Sequence, residues 1–467
     1  MKRAGNRANP DLVMKFAQNS GENIDWWLDS FSLEELRHVP VRFWDEPNAK
    51  FKAEALKGDA EINGYHFWYG TLWFPYKGGW LTGHPNENEV VLANQDRAIE
   101  AGARAFYGIE ADQLVKENGR VVAVIGHDWQ GNYYRYNAKK GVVLATAGFE
   151  GNKEMLEELV VDAKDLFTDD ECYEDLKLKP QNGHGIRMGV WAGGRMETRP
   201  IATAGGNRFL MRGINEAFGT LWLNAEGKRF CNEVFGGSEL AGFAGNQMAR
   251  GTCYNIFDEH VLEYLQWSPP MHYGFDFSER ADVERLLNLI DYAKSHTDGR
   301  CEVNNKPKLN NAAPIGADRL TSRSPLKQIV YYGRTPEELV GNAGLEGALA
   351  ANIVASIKRY NQIAANGRDE DYGKDARILM PLSGMLFMEG RVPVYGGNRF
   401  FTCGALVTNA DLNVLDESYH PIPGLYASGN CCGRRFGLQY STPITGLSLG
   451  MSIVLGREAG AAVARSK

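Results

Sequence analysis

The stretch GLYASGNCCGRRFG, residues 424–437, gathers chemistry-bearing side chains behind an apolar run that stops at Gly429. An amide, two adjacent cysteines and two arginines follow. Three chemistries would use such a set: a thiolate metal site, a redox disulfide, or a turn held against a bound cofactor. Zinc sites need paired Cys or Cys/His spacings, and the seven cysteines of this chain contain no CxxC pair. Adjacent cysteines make a poor disulfide, because the bridge geometry conflicts with the peptide between them. The set reads as free thiols of a reducing, cytoplasmic compartment, with Cys431 and Cys432 as small packed residues and no metal.

A second stretch, GVVLATAGFEGN at residues 141–152, has the same shape. Both are short apolar strands that end at small residues and then turn. That shape suits a nucleotide cofactor, since small residues let backbone N–H groups approach phosphate, ribose or ring oxygens. The elements around them are legible. Asn9 and Pro10 open a helix through Leu12, Val13, Phe16 and Ala17, and a second short helix carries Ile24, Trp26, Trp27 and Leu28. A helix over about Val90–Ala101 stops at Gly102. Residues 104–151 form a β-meander, with turns at Asn118–Gly119 and Gln130–Asn132, that feeds a buried strand from Val142 to Ala145. A further helix starts near Asn152. Residues 62–85, rich in aromatics and glycine, read as irregular strand and loop.

Composition bounds the function. Apolar residues are 43% and charged residues 23% of the 467, with a net charge of −7. No basic run offers a footprint for nucleic acid. No uninterrupted apolar stretch reaches the roughly 20 residues of a bilayer span, and the most apolar candidate helix is broken by Arg457 and Glu458. The expected partner is a small molecule.

Five stretches, in order, resemble the flavoprotein family of fumarate reductases, succinate dehydrogenase flavoprotein subunits and ketosteroid dehydrogenases. They are AKKGVVLATAGFEGNKEM (138–155), NGHGIRMGVWAGG (182–194), LWLNAEGKRFCNE (221–233), RYNQIAANGRDEDYGK (359–374) and the closing segment 403–460. The resemblance implies FAD as cofactor, an external electron donor or acceptor, and an α/β (α+β) fold. A discontinuous, glutathione-reductase-like FAD-binding domain would span residues 1–196 and 401–467, with an inserted α+β substrate-capping domain at 197–400. It places Gly429, Asn430, Gly446, Leu447, Ser448 and Leu449 beside the flavin, with a helix N-terminus near Gly446 that favours negative charge on the reduced ring. Thr146, Ala147 and Gly148 would face the phosphate or adenosine side, and the strand around Ala111 the adenine.

The departures are informative. Relatives open with a strand–GxGxxG–helix unit that holds the pyrophosphate, and this chain has none. The resemblance implies a βαβ unit of about 30 or more residues missing before Met1. N-terminal truncation is the first reading, half of a split flavoprotein the second, and a remnant that no longer binds FAD the third. Fumarate-type relatives clamp a dicarboxylate with histidine and arginine. Here Phe400–Phe401, Gly236–Gly237 and GLQYSTPITG (437–446) stand in those places. A site without bidentate arginines holds a small dicarboxylate poorly. The expected substrate is therefore bulky and flat, with an activated C=C, lying against Phe401, Tyr331, Tyr332 and the aromatic stretch 65–76. Tyr440 is the expected proton donor, supported by Arg435.

Overall fold

The computed structural model describes residues 7–36, 41–42, 61–62, 65–66, 71–72, 87–160, 181–204, 220–233, 253–265, 280–304, 327–391, 401–437, 440 and 447–466. Its buried apolar residues fall into clusters that divide between two groups of sheets.

The first group contains the two strands singled out in the sequence. Pro421–Ala427 runs parallel to Val142–Leu144, with Leu425 opposite Val142 and Ala427 opposite Leu144, and antiparallel to Asn413–Leu415. Val142 and Val143 are half-buried, so this strand is covered less completely than its apolar run implies. A three-stranded antiparallel meander, Ile109–Glu117, Arg120–Asp128 and Tyr133–Asn137, lies against it. Contact is close at Gly424, where φ is 76° and a Cβ would stand 2.4 Å from the Val121 carbonyl oxygen. Leu114 and Val121 of the meander share a core with Leu144, Leu425, Ala427 and Cys431.

The helix Pro10–Leu28 is one element, with Asn9 accepting from the Asp11 N–H at 3.0 Å. The expected division into two helices between Ala17 and Ile24 does not occur, although Gly21 lies in that interval. An exposed helix glycine costs only about 1 kcal/mol, and tertiary contacts outweigh it. Leu12 is buried with Met451, Leu455 and Ala459 of the helix Leu447–Arg465, and Lys15 bridges to Glu458 at 3.1 Å. Despite Arg457 and Glu458, which were expected to break it as a span, that C-terminal helix is long and apolar enough to cross a membrane by length and composition alone; here it buries Met451, Val454, Leu455, Ala459 and Ala462.

The second group is a five-stranded antiparallel sheet in the order Leu221–Leu223, Cys253–Asp258, Leu386–Arg391, Lys327–Gly333, Arg300–Asn304. The helix Gly347–Asn366 buries Ile353, Ile357, Tyr360 and Ile363, a stripe at helical spacing, against one face. The helix Arg280–Ser295 covers the other with Leu286, Leu289, Ile290 and Ala293. An ionic network ties the hairpin after Leu223 to the loop after that first helix. Arg229 grips Glu233 and Asp369 with paired contacts of 2.8–3.0 Å, and Lys374 reaches Glu233 at 3.3 Å. Burial pushes Asp369 up, but Arg229 and backbone N–H groups outweigh it and hold it at about 2.

The two groups are joined where Thr203–Ala204 pairs antiparallel with Phe401–Thr402. The chain thus leaves for the five-stranded sheet and returns from it side by side.

Candidate cofactor site

The two parallel strands end together. Beyond Leu144 the chain exposes Ala145 and Thr146, and Ala147 takes φ 60°, a left-handed conformation unfavourable for a residue with a Cβ. Beyond Ala427 a short 3-10 turn runs over Gly429–Cys431. The buried thiol of Cys431 joins the ends. It accepts the Thr146 N–H at 3.1 Å and donates to the Ala147 carbonyl at 3.1 Å. Thr402 braces the same turn: its hydroxyl accepts the Phe149 N–H at 2.9 Å and contacts Glu150 at 3.1 Å. Gly148 is required there, since a Cβ would fall 2.1 Å from the Thr402 hydroxyl.

Thr146, Ala147, Gly148, Gly429 and Asn430 are therefore gathered at one junction. Phe401 adjoins it through Thr402 and packs edge-on to Tyr440, with ring centroids 6.1 Å apart. Tyr440 is buried, and its hydroxyl accepts the Ser448 N–H at 3.2 Å, in the first turn of the helix that begins at Leu447. Leu449 turns its side chain outward. Ala111 packs against the core beneath the junction. Gly446 lies outside the described residues, as do Phe67, Trp68, Tyr69, Trp73 and Tyr76.

Two expected substrate contacts lie in the five-stranded sheet. Tyr332 is buried in the core of the five-stranded sheet, where its hydroxyl donates to Asp298. Tyr331 points to the opposite face and packs among the residues around Tyr360. Alternation along a strand separates them, and neither joins Phe401 and Tyr440.

Two features of the junction were not singled out in the sequence. The first is Glu197, buried beside the bridge Met196–Leu406, which accepts the Arg434 N–H at 2.7 Å. Burial pushes its carboxyl up to about 7, against the pull of that N–H and of Arg435 and Arg434. The second is that two buried polar atoms, the Ser428 hydroxyl and Nη1 of the already expected Arg435, have no hydrogen-bond partner among the described residues. The thiols are inert by environment: burial raises Cys431 and takes Cys432 to about 11. Small residues at paired strand ends, an exposed Thr146, a helix N-terminus and a buried guanidinium with one nitrogen unpartnered among the described residues fit a ligand bearing phosphate and ring oxygens, as FAD does.

Comparisons with known proteins follow this geometry. The chain is similar to the vinyl phenol reductase of Lactiplantibacillus plantarum, 26% identical over 345 residues, covering 68% of this chain and 59% of that protein. It is also similar to the 4-oxocyclohexanecarboxylate 2-dehydrogenase of Sinomonas cyclohexanicum, 27% identical over 396 residues, covering 79% and 57%. The chain thus spans under three fifths of the length of these curated relatives. Among solved structures, the fold is like that of the 3-ketosteroid-delta4-(5alpha)-dehydrogenase from Rhodococcus jostii RHA1 in complex with 4-androstene-3,17-dione. The TM-score is 0.61 and the identity 21%, covering 98% of this chain and 81% of that one. Residues 1–443 match the family described as FAD binding domain, and the chain belongs to that family.

Proposed function

We propose that the protein is an FAD-dependent oxidoreductase acting on CH–CH groups, which reduces or forms an activated C=C bond of a bulky, flat or aromatic substrate. In this reading residues 1–196 and 401–467 hold the cofactor, and residues 197–400 cap the substrate. The observation that carries it is the junction of the two parallel strand ends through Cys431, beside Tyr440 and the N-terminus of the helix Leu447–Arg465. The similar protein named vinyl phenol reductase supports an aryl-alkene as substrate, and the absence of the expected clamping arginines from residues 236–237 and 437–446 speaks against a dicarboxylate.

Bound FAD would supply hydride exchange between its N5 and a substrate carbon. The chain's own residues do the rest. Phe401 offers an aromatic edge against which a flat substrate can lie. Tyr440, its oxygen fixed by the Ser448 N–H, exchanges a proton with the second carbon or polarises a conjugated carbonyl. Electrons come from, or go to, an external carrier.

The test is spectroscopic. The purified chain is incubated with FAD and desalted, reduced anaerobically, and mixed with an aryl acrylate, a vinyl phenol or a cyclic enone. Retained flavin that is reoxidised by one of these supports the reading. Retained flavin that only fumarate reoxidises overturns the substrate class, and failure to retain flavin overturns the cofactor assignment for this chain.

A further inference from the structure

Arg435 is among the largest fully buried side chains of the described residues, at 2% exposure. A buried guanidinium is costly unless it is paired and hydrogen-bonded. Nη2 donates to Asn430 Oδ1, and Nε donates to the Cys432 carbonyl at 3.3 Å. The guanidinium lies 4.7 Å from the centroid of the Phe436 ring. Nη1 has no partner. Glu197 acts on it only through space, its Oε2 being taken by the Arg434 N–H.

The surroundings point from this cation to a ligand. An arginine offers only donors, so the oxygen of Asn430 must be the end that faces it. The Asn430 NH2 group, on a half-exposed residue, is left to donate elsewhere. Ser428, two residues earlier in the chain, also holds a buried hydroxyl with no partner. The charge of Arg435 reaches Cys431, the residue that fastens the Thr146–Ala147 strand end. A cation and the amide it orients thus sit in the loop that leaves the junction, while the Ser428 hydroxyl lies near Gly456 of the C-terminal helix.

We propose that Arg435, which makes no ion pair among the described residues, is the counter-charge to an anionic group of the bound flavin cofactor, with Asn430, oriented by Arg435, donating its amide N–H to the same ligand. This rests on the FAD-dependent reading above. The anionic group is either the pyrophosphate, present in both redox states, or the ring, which is negative once reduced.

The experiment compares the full chain with Arg435→Met and Asn430→Asp. Arg435→Met removes the charge and keeps the bulk. Asn430→Asp neutralises the cation in place. Three quantities are read: the melting temperature without added FAD, the affinity for oxidised FAD by spectral titration, and the midpoint potential of bound flavin. Arg435→Met is expected to melt at or above the wild-type temperature without FAD, because an uncompensated buried charge is gone. Both variants should then lose flavin stabilisation. A fall in oxidised affinity of about tenfold or more assigns the pyrophosphate. A more negative potential with unchanged oxidised affinity assigns the reduced ring. Wild-type affinity and potential in both variants overturn the proposal, and so does an Arg435→Met chain that melts well below wild type yet keeps both. If Arg435→Met fails to fold, Asn430→Asp decides alone by the same two flavin readouts. A wild-type chain that takes up no FAD overturns the cofactor reading itself, and this proposal with it.

Discussion

The thiol of Cys431 lies 3.1 Å from both the backbone nitrogen and the hydroxyl of Thr146, although 285 residues separate them in the chain. This contact, with the thiol's bond to the Ala147 carbonyl and the Ser428 N–H on the Leu144 carbonyl, fastens two strand ends beyond their short parallel ladder, Leu425–Ala427 against Val142–Leu144. Cys431→Ala should therefore cost about 1–2 kcal/mol and lower flavin retention. Cys431→Ser, which keeps a donor and an acceptor, should lose less of both. Melting curves and the flavin-to-protein absorbance ratio measure this. Since Cys431 and Cys432 are buried with raised pKa values, neither should react with a thiol reagent at pH 8 until the protein unfolds. Rapid labelling of either in the native chain would contradict the packing described.

Glu197 should make stability depend on pH near neutrality. Its carboxyl titrates at about 7 in the folded chain against an ordinary value of 4.5. Protonated Glu197 is the form the fold prefers. Its contribution is full below pH 4.5 and is lost as pH rises to about 7, a change on the order of 3 kcal/mol. Glu197→Gln removes this loss and can still accept the Arg434 N–H. The variant should match the wild type at pH 5 and melt higher at pH 8. Parallel melting curves for the two proteins across that range would show that Glu197 does not titrate there.

Arg229→Met should be among the most damaging substitutions in the five-stranded group. It strands Glu233 and Asp369, both fully buried carboxylates, with Lys374 as the remaining cation at Glu233. Breaking such a set by removing one partner costs about 3–5 kcal/mol. Arg229→Lys keeps the charge but cannot make paired contacts to two carboxylates, so it should fall between. Thermal melting orders the three proteins, and equal values would show the network to be dispensable.

How far the sequence reaches can be judged from these same residues. Local chemistry was readable where a residue type dictates a conformation. Asn118–Gly119 turns the meander, with positive φ at both. Asn152 caps its helix by accepting the Met155 N–H at 3.0 Å. The small residues at both strand ends drew attention to the junction. Long-range geometry was not readable. Nothing in the spacing of Val142 and Leu425 states that they pair in parallel, and nothing in Gly21 states that a neighbouring helix carries the first helix through it. Tyr332 illustrates the chief ambiguity. A tyrosine in a core, its hydroxyl satisfied by Asp298, has the same letter as a tyrosine facing a substrate, and only the sheet's alternation separates them. Arg435 is the converse case: the sequence offered it as a support for Tyr440 but gave no sign of its burial, and the partners it makes are its own loop neighbours, Asn430, Cys432 and Phe436.

Tyr440 allows the sharpest test of the site. Its hydroxyl accepts the Ser448 N–H at 3.2 Å, while its ring is held edge-on by Phe436 at 4.8 Å and by Phe401 at 6.1 Å. Tyr440→Phe keeps those ring contacts and removes the oxygen. Loss of the acceptor for one helix N-terminal N–H should cost about 1 kcal/mol of stability. If the phenol also exchanges the substrate proton, turnover should fall about a hundredfold or more while flavin content stays at the wild-type level. The two effects are separable, because a purely structural cap would lower the melting temperature and leave turnover per bound flavin unchanged. A pH–rate profile adds a second readout: the wild type should lose activity at high pH as its proton donor ionises, and the limb should be absent from the residual activity of the variant. A variant that keeps both the wild-type turnover per flavin and that limb would assign the proton to another group and leave Tyr440 as the cap of the C-terminal helix.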